Sequence, residues 1–135
     1  MRFKSFIIII MLVAVVALTL GCTSSSNTSG TAMNAANATA DRILNSFNTG
    51  NYADFSANLS PTMLSAANAS WFNTTRAALQ SKYGNYLSRA PVPTAGAEQG
   101  YNIYLYNSNF EKGNFTLQLT MNTTNVWRVE GIFFR

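Results

Sequence analysis

The chain has 135 residues, a net charge of +4, one cysteine and no histidine, and only 10% of its residues are charged. About a quarter is ordinary for a soluble domain, and so few cations make no stripe that could track phosphates, so nucleic acid is not an expected partner. Lack of histidine removes the Ser-His-Asp and Cys-His arrangements and the commonest zinc ligand, while a lone cysteine excludes an internal disulfide.

Arg2 and Lys4 precede an unbroken apolar run over residues 6–18, which ends at Thr19-Leu20-Gly21-Cys22. The run has the length of a signal-peptide core and is short for a spanning helix of about 20 residues. Residues 1–21 read as a signal peptide whose removal exposes Cys22 for lipid attachment, and acylation accounts for a solitary exported thiol. Thr19 and Leu20 stand where such signals usually carry Leu and a small residue. An uncleaved N-terminal membrane helix, with Arg2 and Lys4 on the cytoplasmic side, is therefore the alternative. Both readings place the protein outside the cytoplasm and anchored to the cell membrane. Loss of Arg2 and Lys4 with the leader would lower the net charge from +4 to +2. Residues 22–31, rich in Ser, Thr and Asn, read as a flexible lipidated tether. One domain of ordinary size remains, residues 32–135.

N-x-[ST] triplets start at Asn27, Asn37, Asn58, Asn68, Asn73, Asn114 and Asn122. They are candidate N-glycosylation sites of a surface glycoprotein, or the by-product of an Asn-rich surface.

Within the domain, Ala36, Ala40, Ile43, Leu44 and Phe47 recur at helical spacing and predict a first helix over 32–47. Gly50 supplies a left-handed stop. Tyr52, Phe55 and Leu59 suggest a short second helix. Ser60-Pro61 begins a third, with Ser as cap and Pro at the first helical position. A fourth runs over about 69–83, with Trp71, Phe72, Thr75, Leu79 and Tyr83 as its buried stripe and Gly84 as its end. The period then changes to two. Residues 85–90 suggest a short strand and 91–100, with Pro91 and Pro93, a loop. Three alternating segments follow: 101–106, a second carrying Phe115, Leu117, Leu119 and Met121, and a third around Trp127, Val129 and Ile132. Turns at 111–114 and 122–125 make them a meander, and Gly131 marks a bulge or bend. The expected fold class is α+β: N-terminal helices packed on a curved, cone-like antiparallel sheet of three to four strands.

The stretches Ile43-Leu44-Asn45-Ser46-Phe47-Asn48-Thr49-Gly50-Asn51-Tyr52-Ala53-Asp54-Phe55, Ser81-Lys82-Tyr83-Gly84, Phe110-Glu111-Lys112-Gly113-Asn114-Phe115 and Val129-Glu130-Gly131-Ile132-Phe133-Phe134 stand in an order that resembles the nuclear-transport-factor-2-like superfamily of cystatin-like cones. More narrowly, the chain is similar to small exported lipoprotein domains of unknown function in that group. The resemblance covers about residues 33–135. It implies a cone with an open mouth, and it brings over no catalytic residue, since enzymatic relatives place His, Asp or Tyr inside. It also implies a homodimer, because relatives often pair sheet to sheet.

The acids Asp41, Asp54, Glu98, Glu111 and Glu130 are scattered, and a two-carboxylate site needs two that converge. Asp41 and Arg42 read as a solvated helix face. Arg128 and Glu130 share a face of the last strand, either paired with each other or turned to a ligand. The tyrosines carry the larger expectation. Tyr104 and Tyr106 share one strand face with Asn102, and Tyr101 lies on the other. With Trp127 they could line a pocket for a sugar ring or an apolar ligand, though cross-strand packing would use the same residues. The expected function is a non-enzymatic surface domain that binds a small ligand, a glycan or a partner protein, with Tyr104, Tyr106, Trp127, Asn102, Glu130 and Arg128 as contacts. No metal or cofactor is expected. The alternatives are an accessory module of an exported hydrolase, or a weak enzyme using Tyr, Asp or Glu.

Overall fold

Helix ends in this chain are set by short polar side chains and by glycine. In the computed structural model, which describes residues 26–92, 96–124 and 128–135, helix α1 spans Ser26–Thr49. It starts six residues before the expected Ala32. Adding a residue to an existing helix gains a hydrogen bond without a new nucleus, so a polar stretch can join it. At the other end, Gly50 has φ +74, and its N–H donates to the Ser46 carbonyl at 2.7 Å. A side chain there would also press on the Arg76 guanidinium, 3.1 Å from the position of a Cβ.

Helix α2 (Tyr52–Ser56) is capped by Asn51, whose Oδ1 accepts from the N–H of Ala53 at 3.0 Å. Helix α3 (Pro61–Ala66) is capped by Ser60, and α4 (Ala69–Tyr83) by Asn68, whose Oδ1 accepts from Trp71 N–H at 3.0 Å. Gly84, at φ +76, ends α4 as expected.

The strands are β1 (Tyr86–Pro91), β2 (Gly96–Glu98), β3 (Tyr101–Phe110), β4 (Gly113–Asn122) and β5 (Val129–Phe134). They form one antiparallel sheet in the order β1-β3-β4-β5, with β2 also paired to β3. The α+β class is as expected, but the sheet has five strands among the described residues rather than three to four. The extra one lies in the segment expected to be a loop. Its three residues carry no apolar alternation. They pair only because β3 is ten residues long and β1 covers its Tyr106–Phe110 half, leaving Tyr101–Ile103 for β2.

The expected bulge is present in β5. Thr120 faces Gly131 and Met121 faces Val129, so Glu130 is the extra residue. On β3 and β4 the period of two separates the faces, although Gln118, between Leu117 and Leu119, is buried as well. Tyr104, Tyr106, Ser108 and Phe110 are buried with Phe115, Leu117, Leu119 and Met121 against Ile43, Leu44 and Phe47 of α1. The opposite face shows Tyr101, and Phe133 of β5, to solvent.

Two compact units divide the chain, Met1–Thr31 and Ala32–Arg135. In the second, one end of the core is aromatic. Phe72 lies 5.4 Å from Phe47 and 4.9 Å from Phe55, and Phe115 meets both Phe110 and Phe134. Each ring taken from water contributes about 1.5–3 kcal/mol. Two side chains of α4 tie down the open end of α1: Arg76 Nε donates to the Phe47 carbonyl at 2.8 Å and Gln80 Nε2 to the same oxygen at 3.0 Å.

Candidate functional site

Three elements meet at a polar cluster. Helix α1 contributes Asn37 and Asp41, four residues apart and therefore on one face. Strand β1 contributes Tyr86 and Arg89, and β3 contributes Asn102, Tyr104 and Tyr106. Arg89 Nε and Nη2 each donate to one oxygen of Asp41 at 2.7 Å, a two-pronged pair, and Nη2 also donates to the Asn37 carbonyl at 3.0 Å. The Arg89 side chain is 12% exposed and that of Asp41 50%. The guanidinium carbon lies 4.8 Å from the centre of the Tyr106 ring, a cation–π contact.

Charge here is matched. Burial works against the Arg89 cation, but the Asp41 carboxylate outweighs it and raises the guanidinium above its ordinary value. Burial pushes the Tyr106 hydroxyl far up, with Arg89 acting the other way, and burial also raises Tyr104 and Tyr86. All three tyrosines stay protonated at neutral pH, so none is a base or a nucleophile there. Two polar atoms are left over. The Tyr106 hydroxyl and the Asn37 Oδ1 are both buried with no hydrogen-bond partner among the described residues. A buried polar group left alone costs about 1–3 kcal/mol. Together they offer one hydroxyl donor and acceptor and one amide acceptor.

The sequence brings only part of this set into view. Tyr104, Tyr106 and Asn102 do share a face. Arg89 and Asn37 were not among the expected contacts. Asp41, expected with Arg42 on a solvated helix face, is instead bound to Arg89, while Arg42 donates to Asn58 Oδ1 at 3.2 Å. No signal of spacing links residues 48 apart. Glu130 and Arg128 do not join the tyrosines: β4 separates β3 from β5. Arg128 is exposed, and the only ion pair among the described residues is Arg89–Asp41, so the expected Arg128–Glu130 pairing is not made. Glu130 is half-buried and lines a cleft of about 270 Å³ with Met63, Ala66, Trp71, Ile132 and Phe133. Trp127 and Cys22 lie outside the described residues.

A family model for proteins of unknown function, DUF3887, matches residues 40–126. The chain belongs to the DUF3887 family. The DUF3887 match takes in Asp41, Arg89, Tyr104 and Tyr106 and stops before β5. No curated protein and no solved structure matches the chain.

The candidate glycan acceptors of this DUF3887 chain differ in access. Asn68, Asn73 and Asn114 are exposed, although Asn68 already caps α4. The amide nitrogen of Asn58 donates to Thr39 Oγ1 at 2.9 Å, and Asn37 turns its oxygen inward. Asn122 is half-buried, and its Oδ1 accepts from Thr124 N–H at 2.8 Å. The side chain of Asn27 lies outside the described residues. No helix among the described residues is long and apolar enough to cross a membrane.

Proposed function

We infer that this is a non-enzymatic binding domain, held at the outer face of the cell membrane through a lipid on Cys22. It takes a small, uncharged, hydroxyl-bearing ligand, of which a sugar is the model, at the cluster of Tyr104, Tyr106, Asn102 and Arg89. The order of elements, helices first and then an antiparallel meander, supports a cone of the nuclear-transport-factor-2-like superfamily. The observation that carries the ligand reading is the pair of orphaned buried atoms, Tyr106 Oη and Asn37 Oδ1, beside a cation that Asp41 already neutralises. A charged ligand would have to break that pair. A hydroxyl can give to one orphan and accept from the other at no such cost. Catalysis is the weaker reading, because the tyrosines are held protonated and Asp41 is engaged.

The test is a panel of sugars and polyols added to the full chain in detergent, read as a thermal shift. A binding sugar raises the Tm of the wild type and leaves Tyr106→Phe unmoved. Equal shifts in both proteins would remove the site from this cluster. Mass spectrometry of the native N-terminus tests the anchor: a chain that starts at a diacylglyceryl-modified Cys22 is expected, and an intact leader selects the uncleaved helix.

A further inference from the structure

The edge of β5 is open over only part of its length. Val129 donates to the Asn58 carbonyl at 2.8 Å and accepts from Ser60 N–H at 2.9 Å, so a short parallel segment, Asn58–Ser60, covers the first position. Pro61 then turns the chain into α3 and away from the strand. Farther along, Thr116 and Arg135 exchange both main-chain hydrogen bonds, at 2.8 and 2.9 Å. Antiparallel pairs alternate, so Phe133 and Gly131 also turn their main-chain groups toward β4. Ile132 and Phe134 turn theirs outward, where the sheet has no further strand among the described residues. Beside this open stretch lies the 270 Å³ cleft, apolar except for Glu130. Glu130 is held there by the bulge and has no ion-pair partner among the described residues.

We propose that the β5 edge and this cleft form a docking groove for an extended peptide of a partner protein. The peptide adds as a strand to Ile132 and Phe134, places an apolar side chain against Met63 and Trp71, and sets a Lys or Arg against Glu130. Each part answers a different need of the groove. The outward N–H and C=O groups want a second main chain, which strand addition supplies. A cleft between helix and strand takes alternate side chains of that strand. A half-buried carboxylate among apolar groups selects a cation and rejects an acid.

The groove stands apart from the tyrosine cluster, and the two readings fail separately. The probe is a phage-displayed library of random heptapeptides, panned on the full chain in detergent. Enriched peptides should alternate apolar residues and carry Lys or Arg at a fixed offset. The leading peptide, made synthetically, should quench tryptophan fluorescence and lose binding when alternate amides are N-methylated, which alters only the probe. Glu130→Gln should weaken it about tenfold, Ile132→Pro should abolish binding, and Tyr106→Phe should leave it unchanged. Failure to enrich any peptide, or equal affinity of the N-methylated form, overturns the proposal. So does light scattering that shows a dimer which Ile132→Pro dissolves, since the occupant is then a second copy of the chain.

Discussion

The two ends of the helix–sheet core are built on opposite terms. At one end Phe47, Phe55, Phe72, Phe110, Phe115 and Phe134 touch in an unbroken chain of ring contacts, without a polar atom to satisfy. At the other the buried residues of the helix are small, Ala32, Ala35, Ala36, Thr39 and Ala40, and the sheet answers with Tyr104 and Tyr106. Beside these residues lie the Arg89–Asp41 pair and two buried oxygens that have no hydrogen-bond partner among the described residues. The first end secures the fold. The second spends some of that stability on groups a well-packed core would not keep, which is the usual mark of a binding site.

The largest expected effect breaks the aromatic end. Phe72→Ala empties a fully buried position between Phe47 and Phe55 and should cost about 3–5 kcal/mol in denaturant unfolding. A loss below about 1 kcal/mol would mean this end does not anchor the domain. Arg89→Ala comes next. It strands Asp41 and removes the contact with the Tyr106 ring. Full burial of both partners would make that about 3–5 kcal/mol, but Asp41 is half exposed and water screens it, so about 1–3 kcal/mol is expected. Arg89→Lys should recover only part, because an ammonium cannot make the two-pronged pair.

The smallest effect has the opposite sign. Tyr106→Phe deletes a buried hydroxyl that has no partner and should leave the protein as stable or more stable, by about 1 kcal/mol. The pH dependence sharpens the point. Burial raises the folded-state Tyr106 above its ordinary value of 10.0, so the folded form keeps its proton where the unfolded chain has lost it. Stability from this source is complete below about pH 10 and falls as pH rises beyond it. Unfolding followed from pH 9 to 11 should steepen above 10 in the wild type and less so in Tyr106→Phe. Identical profiles would place the hydroxyl in contact with water.

Much of the fold was legible in the residues because its signals are local. Ser60-Pro61 opened a helix, Gly50 and Gly84 closed two, and Phe115, Leu117, Leu119 and Met121 lie on one face as their alternation requires. β2 was not legible: its pairing depends on how far β1 extends along β3, which is a property of the assembled sheet. The site was half legible. Period two puts Tyr104, Tyr106 and Asn102 together, but the pairing of Asp41 with Arg89 joins a helix to a strand across the core. The face occupied by Arg89 also follows a register shift between Tyr86 and Ser88, which simple alternation does not reveal. The bulge at Glu130 likewise shifts the register of β5 against β4.

Asn48 has a consequence for how the molecule can associate. Its side-chain amide accepts from Tyr86 N–H at 2.8 Å and donates to the Tyr86 carbonyl at 2.9 Å, occupying the outer rim of β1. Pro91 has no N–H to offer at the far end of that strand. Strand addition is thus obstructed at both ends of β1, while Ile132 and Phe134 of β5 stay open to it. A molecule with two adhesive flanks could stack head to tail into filaments. With β1 obstructed at both ends, a strand added at β5 does not begin a run that passes from molecule to molecule.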